Sequence, residues 1–211
     1  MPARGRLIAL EGIDGCGKST QAKAVAGALG ALLTHEPGAT PLGAQLRRLL
    51  LDPDAGSPPP TPRAETLLMA ADRAEHVAQV IEPALASGAW VVTDRYSGST
   101  IAYQGYGRGL GGTADGLAEV VSWATAGVEA DMSVFVDVPV DVADGRRRGA
   151  DRMERLGPEF AARVRAGFAA QAAAEPGRWL VVDGTGDAAA ITAHIVDAVR
   201  ERLGPEPEHG R

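Results

Sequence analysis

A lysine and a serine at the end of a glycine-rich run carry the plainest chemistry in this sequence. Gly12-Ile13-Asp14-Gly15-Cys16-Gly17-Lys18-Ser19 fits G-x-x-x-x-G-K-[ST] without a mismatch. Glycines lack Cβ atoms, so such a loop can take left-handed dihedrals and wrap an anion with its N–H groups turned inward. Lys18 adds a point charge for the outer phosphates, and Ser19 a hydroxyl for Mg²⁺. The stretch Gly12 to Thr20 is therefore expected to bind the phosphates of a nucleotide. A glycine-rich turn with a chance lysine is the plain alternative, but the order of elements argues against it. An apolar strand, Leu7 to Leu10, precedes the loop and a helix, Gln21 to Leu29, follows it.

Four further places bring charge toward such a loop. The apolar run Trp90 to Thr93 delivers Asp94 and Arg95 at its end. A carboxylate after a neighbouring strand suits Mg²⁺ or its water shell, and the planar fork of an arginine suits a phosphate. A salt bridge between chain neighbours is the competing reading. His35-Glu36-Pro37-Gly38 stops a strand with a forced loop, placing Glu36 where open α/β sheets bind ligands. Arg73 lies within a helical pattern, as a surface charge or as a donor facing a cleft. The densest positive run, Arg146 to Arg155, reads as a solvated face, a nucleic-acid patch or a set of cationic clamps.

Positioning these groups requires a sheet. Apolar runs recur at Leu7–Leu10, Ala31–Thr34, Trp90–Thr93, Ser133–Val138 and Trp179–Val182, separated by helical patterns. That alternation predicts an α/β fold, a parallel sheet covered by helices on both faces. Helices are expected over Pro41–Leu51, Ala64–Ala86 with Pro83 and Gly88 as stop signals, Gly112–Thr125, Pro158–Ala174 and Ala188–Leu203. The segment 52–63, rich in proline and glycine, reads as a surface connection.

With 211 residues, one domain over 1–211 is expected. A net charge of −6 gives no global attraction to nucleic acid or anionic membrane, which leaves small molecules as the expected partners. No signal-peptide pattern or long apolar stretch occurs, and the single cysteine, Cys16, fits a reducing compartment, so a cytoplasmic setting is expected. Cys16 is read as a tolerated small residue in preference to a redox switch.

The stretch from Asp94 through Arg95, Tyr96, Ser99, Ala102 and Tyr103 to Gln104 matches D-R-[aromatic or His]-x-x-S-x-x-A-Y-Q, the signature of thymidylate kinases. The likeness extends to EGIDGCGKST, HEPGAT, AADRAEHV and RGADRMER. The chain thus resembles bacterial thymidylate kinases over nearly its whole length. The resemblance implies a P-loop kinase fold with five parallel strands, a mobile lid at about 146–157, and transfer of the ATP γ-phosphoryl to dTMP with Mg²⁺ in a homodimer. It assigns Lys18, Arg95 and Arg152 to catalysis, and Ser19 and Asp94 to the metal. For the acceptor it implies Asp14 at the 3′-hydroxyl, Arg73 at thymine O4, Arg95 at the dTMP phosphate and Tyr103 against the 2′ position, with Glu36, Met69, Ser99 and Gln104 completing the cleft. Gly184-Thr185-Gly186 resembles the family's adenine-side turn, or is an ordinary turn.

Three departures stand out. His35 replaces the family's arginine before Glu-Pro-Gly, Met69 occupies the place of a base-stacking phenylalanine, and Gly15 stands where some members carry an arginine. The last departure assigns the catalytic positive charge to the lid, with Arg152 as its nearest candidate. A kinase for another nucleoside monophosphate or a deoxynucleoside is the alternative enzyme. A P-loop ATPase switch is the alternative from another class, although the guanine motif N-K-x-D is absent because the chain has no asparagine.

Overall fold

The computed structural model describes residues 3–54, 56, 58–111, 116–146 and 151–205. Strand β1 (Leu7–Glu11) runs into the glycine loop and helix α1 (Lys18–Leu29), then β2 (Leu32–His35) and α2 (Pro41–Leu51). Next come α3 (Pro62–His76), a π-helical turn (Val77–Ile81), α4 (Glu82–Ala86) and β3 (Val91–Asp94). The short α5 (Ser97–Thr100) continues into a second π-helical turn (Ile101–Gly107), followed by α6 (Leu117–Ala124) and β4 (Met132–Asp137). The chain closes with α7 (Val140–Arg146), a 3₁₀ turn (Glu154–Leu156), α8 (Gly157–Ala174), β5 (Trp179–Asp183) and α9 (Ala188–Leu203). The five expected strands are present, each within one residue of the expected limits at either end.

All pairings are parallel, in the order β2-β3-β1-β4-β5. β1 is central and wholly buried. Alternate residues of a strand face opposite sides, and each side has its own core. Ile8 and Leu10 join Val25, Leu29, Val92, Val134 and Ile195, while Leu7 and Ala9 join Val77, Ile81, Leu85 and Val91. Each such aliphatic side chain contributes about 1.5–3 kcal/mol when fully buried. Edge strand β2 leaves Leu32 and Leu33 about two-fifths exposed.

Two local departures from regular helix have identifiable causes. The long helix passes through Pro83, which has no N–H for the Gln79 carbonyl. It widens there, and the Glu82 N–H bonds the Val77 carbonyl five residues back. After α5, the Arg108 N–H bonds the Tyr103 carbonyl at 2.9 Å in the same five-residue spacing. A Cβ at Gly107 would lie 2.7 Å from the Phe160 ring, so glycine is needed where this turn meets α8.

Parts of four expected segments lie outside the described residues: 55 and 57 of the connection 52–63, 112–115 of the helix expected at Gly112–Thr125, 147–150 of the lid, and 206–211 of the flexible tail expected at 204–211. Among the described residues no helix is long and apolar enough to cross a membrane.

Candidate active site

The register of the sheet gathers charge at the carboxyl ends of three adjacent strands. His35 and Asp94 are register partners across β2 and β3, and Leu10 pairs with Asp94 across β1 and β3. Such strand ends are where open α/β sheets bind ligands. The loop after β1 uses positive φ at Gly12, Gly15 and Gly17. A Cβ on Gly12 would meet the Cys16 sulfur at 2.7 Å and the Val136 carbonyl at 2.8 Å. Cys16 is buried and its thiol is pushed up by burial, as an inert packing residue requires.

Lys18 is almost fully buried, and its Nζ reaches the Ile13 carbonyl at 3.4 Å and Asp14 Oδ1 at 3.2 Å. The Ser19 hydroxyl donates to Asp94 Oδ2. Asp94 Oδ1 is buried with no hydrogen-bond partner. A carboxylate oxygen left unpaired beside a serine hydroxyl fits Mg²⁺, which takes hard oxygen ligands and keeps much of its water and substrate shell. Among the described residues no group of three or more His, Cys, Asp or Glu could hold a metal unaided. The donor set therefore suits a cation that arrives with phosphate oxygens.

Arg95 lies at the centre of the site, with a positive φ of 76° that a non-glycine residue seldom adopts. Its Nη1 donates to the Gly12 carbonyl and to Ser99 Oγ, each at 3.0 Å. Nη2 donates to Asp14 Oδ1 and, at 2.9 Å, to the Tyr103 hydroxyl. The strained turn is pinned by Glu11, which is fully buried and accepts from the Tyr96 N–H at 3.0 Å, the Ser99 N–H at 3.1 Å and Ser99 Oγ at 2.6 Å. Burial raises the Glu11 carboxyl to about 7, against the pull of these donors, Arg95 and Arg73. Burial also presses on Asp14, but Arg95, Lys18 and the Tyr103 hydroxyl overcome it and hold that carboxyl well below the usual range.

A second network lies beside the first. Glu36 accepts from Arg73 Nε at 2.8 Å and faces His76 Nδ1 at 2.9 Å, all three side chains being buried. Arg73 Nη1 donates to Thr100 Oγ1 at 2.7 Å and Nη2 to the Tyr96 carbonyl at 2.9 Å. Asp72 accepts from the Gly38 N–H at 3.0 Å, and burial together with Glu36 raises it to about 6.

These networks line an open cleft of about 600 Å³. It is bounded by Asp14, Glu36, Met69, Arg73, Arg95, Ser99, Tyr103 and Gln104, the eight residues expected for the acceptor, together with Arg47, Asp72 and Met153. An adjoining cleft brings Lys18, Ser19 and Asp94 together with Asp14, Glu36, Arg47 and Arg95. The two share Asp14, Glu36, Arg47 and Arg95, so two anionic ligands could meet there. Arg152 lines neither cleft. Its N–H bonds the Leu51 carbonyl at 3.0 Å and its Nη1 reaches the Leu49 carbonyl at 3.4 Å, while its neighbours Asp151 and Met153 face the acceptor cleft. Asp137, at the end of β4, forms a two-point pair with Arg165 at 2.6 and 2.9 Å. Gly184 packs against the phosphate loop, since a Cβ there would lie 3.2 Å from the Cys16 carbonyl.

Arg47 is the cation that sequence reasoning missed. It projects from α2 into both clefts and donates to the Pro37 carbonyl at 2.8 Å. Its only signal was a second arginine beside it in a helix that is otherwise apolar except for Gln45.

Comparison with known proteins agrees with this geometry. The family model described as thymidylate kinase matches residues 10–195. Thymidylate kinase of Synechococcus sp. (strain RCC307) is 46% identical over 212 residues, covering 95% of this chain and 98% of that protein. The Bordetella petrii thymidylate kinase is 46% identical over 203 residues, covering 92% and 95%. The crystal structure of thymidylate kinase from Ehrlichia chaffeensis superposes with a TM-score of 0.76 at 30% identity, covering 94% of this chain and all of that one. Glycine loop, strand order and two-cleft site thus occur in a chain that belongs to the thymidylate kinase family.

Proposed function

We propose that the protein transfers the γ-phosphoryl group of ATP to the 5′-phosphate of dTMP, giving ADP and dTDP. The observation that carries this reading is the meeting of two clefts at Arg95 and Asp14, one beside the phosphate loop and one lined for an acceptor. An oxygen of the acceptor phosphate attacks Pγ while the bond from Pγ to the β,γ-bridging oxygen breaks, and ADP leaves with that electron pair. The acceptor is already an anion, so no base is needed, and catalysis is mainly positioning and charge neutralisation.

Lys18 and the loop N–H groups hold the donor phosphates. Arg95 and Arg47 face the region where the two phosphates approach. Ser19 and Asp94 would hold Mg²⁺ or its water shell, which supplies neutralisation at the β- and γ-phosphate oxygens. Arg73 and Gln104 address the base, Met69 packs on its face, and Asp14 meets the sugar 3′-hydroxyl. A thioether against a ring is favourable by roughly 0.3–1.5 kcal/mol. Arg152 enters the catalytic charge set when the lid closes.

The chain is read as a cytoplasmic homodimer. Trp123, 84% exposed at the mouth of a groove lined by Ala74, Val77, Ala78 and Val128, supports a second copy as the partner. Sedimentation as a monomer at working concentrations would overturn that part.

The acceptor assignment is tested with purified protein, ATP and Mg²⁺ against dTMP, dUMP, dCMP, dGMP and thymidine. The highest kcat/KM is expected for dTMP. Preference for any other acceptor, or hydrolysis of ATP without phosphorylation of any of them, would sink it.

A further inference from the structure

Behind Gln104, a lining residue of the acceptor cleft, lies an ion pair that the mechanism does not use. Glu65, on α3, is 3% exposed. Its Oε1 faces Gln104 Nε2 at 2.9 Å and Arg108 Nε at 3.2 Å, and its Oε2 faces Arg108 Nη2 at 2.6 Å. Arg108 is itself held in place, with its guanidinium 5.2 Å above the Phe160 ring and Nη2 3.8 Å from the Met153 sulfur. Since a guanidinium can only donate, both oxygens of Glu65 are committed as acceptors.

That commitment fixes the orientation of a neighbour. A glutamine amide has a donor end and an acceptor end of nearly the same shape, so either could face a ligand. Facing an acceptor-only carboxylate, Gln104 must turn its NH₂ inward. Gln104 lines the cleft and is almost fully buried, so the amide oxygen is the end offered to the base. Arg73, on the same cleft, spends three of its five N–H groups on Glu36, Thr100 and the Tyr96 carbonyl, and keeps two. The cleft therefore has both a donor and an acceptor among its lining residues.

We infer that Glu65, clamped by Arg108, is a specificity-determining residue that selects a pyrimidine with a carbonyl next to a ring N–H. Thymine and uracil match, with O4 toward Arg73 and N3–H toward Gln104. Cytosine presents the opposite order, an amino donor and a bare ring nitrogen, and is refused at both positions. Glu65 acts through Gln104, so it is a positioning residue. The inference rests on the dTMP reading and deepens it by naming what enforces the choice of base.

The test measures kcat/KM for dTMP and dCMP in five proteins: wild type, Glu65→Gln, Glu65→Gln with Arg108→Met, Gln104→Ala, and Glu65→Gln in the Gln104→Ala background. An uncharged side chain at 65 can donate as well as accept, which frees the Gln104 amide to flip. The dTMP-to-dCMP preference is expected to fall by about 10-fold or more, the scale of one mismatched buried hydrogen bond. In the Gln104→Ala background the same change at 65 should leave the ratio unmoved. The double variant removes both charges together, so it reports the same effect if Arg108 unpaired prevents folding of the single one. Parallel losses for both substrates, with the ratio held within about 2-fold, would overturn the inference. A wild-type enzyme that does not prefer dTMP over dCMP would instead overturn the dTMP reading.

Discussion

The Tyr103 hydroxyl donates to Asp14 Oδ2 at 2.8 Å and accepts from Arg95 Nη2 at 2.9 Å, so one phenol oxygen bridges the phosphate loop to the arginine that joins the two clefts. Tyr103→Phe removes this bridge and leaves both charged partners one hydrogen bond short. Hydrogen bonds to charged groups contribute about 1.5–3 kcal/mol. The expected outcome is a rise in KM for dTMP of about 10-fold or more with KM for ATP nearly unchanged, read by steady-state kinetics. An equal change in both constants would place the bridge outside acceptor binding.

Lys18 and Arg95 supply charge where negative charge is transferred. Lys18→Ala and Arg95→Ala are each expected to lower kcat by about 100-fold or more, as for other transition-state donors. Melting temperature and circular dichroism should stay close to wild type for Lys18→Ala. Wild-type turnover by a folded Arg95→Ala protein would remove Arg95 from the site.

Chemistry written in one contiguous stretch was legible in the sequence. Gly12 to Ser19 and Asp94 to Gln104 each carry their geometry locally, in glycines, a strand end and a following helix. Residues whose task comes from a distant partner were silent. Glu11 reads as an ordinary residue between an apolar strand and a glycine loop until the turn at Tyr96 and Ser99 closes on it. Glu65 reads as an ordinary first-turn glutamate until Gln104 and Arg108, about forty residues on, reach it. The π-helical turns were equally hidden, because one depends on how the helix accommodates Pro83 and the other on the approach of Phe160 to Gly107. Strand ends moved by single residues because pairing register, and not apolar content, decides the last ladder bond.

Glu11 makes stability depend on pH in an unusual direction. Its carboxyl rises from 4.5 to about 7, so between those values the folded protein binds more protons than the unfolded chain. Stability then falls as pH rises from about 4.5 to 7, by on the order of 3 kcal/mol from this group. Asp72, raised from 3.8 to about 6, adds to the same slope. Thermal melts from pH 5 to 8 should show a falling Tm in wild type and a shallower fall in Glu11→Gln. A wild-type Tm that climbs across this range would show that other groups outweigh both carboxyls.

Arg152 tests the division of labour between loop and lid. Gly15 gives the phosphate loop no arginine of its own, and Arg152 rests on the Leu49 and Leu51 carbonyls at the end of α2 while Asp151 and Met153 face the acceptor. In the proposed closure of the lid the Arg152 guanidinium gives up the Leu49 carbonyl for a phosphate, and a cation recruited on closure acts on the transferring group more than on the bound acceptor. Arg152→Ala should therefore lower kcat by about 10-fold or more while the dTMP dissociation constant, read by calorimetry without ATP, changes less than about 2-fold. Loss of dTMP affinity with kcat retained would make Arg152 an acceptor-binding residue. In that case Arg47, the other cation shared by both clefts, would be the next arginine to replace in search of the catalytic charge.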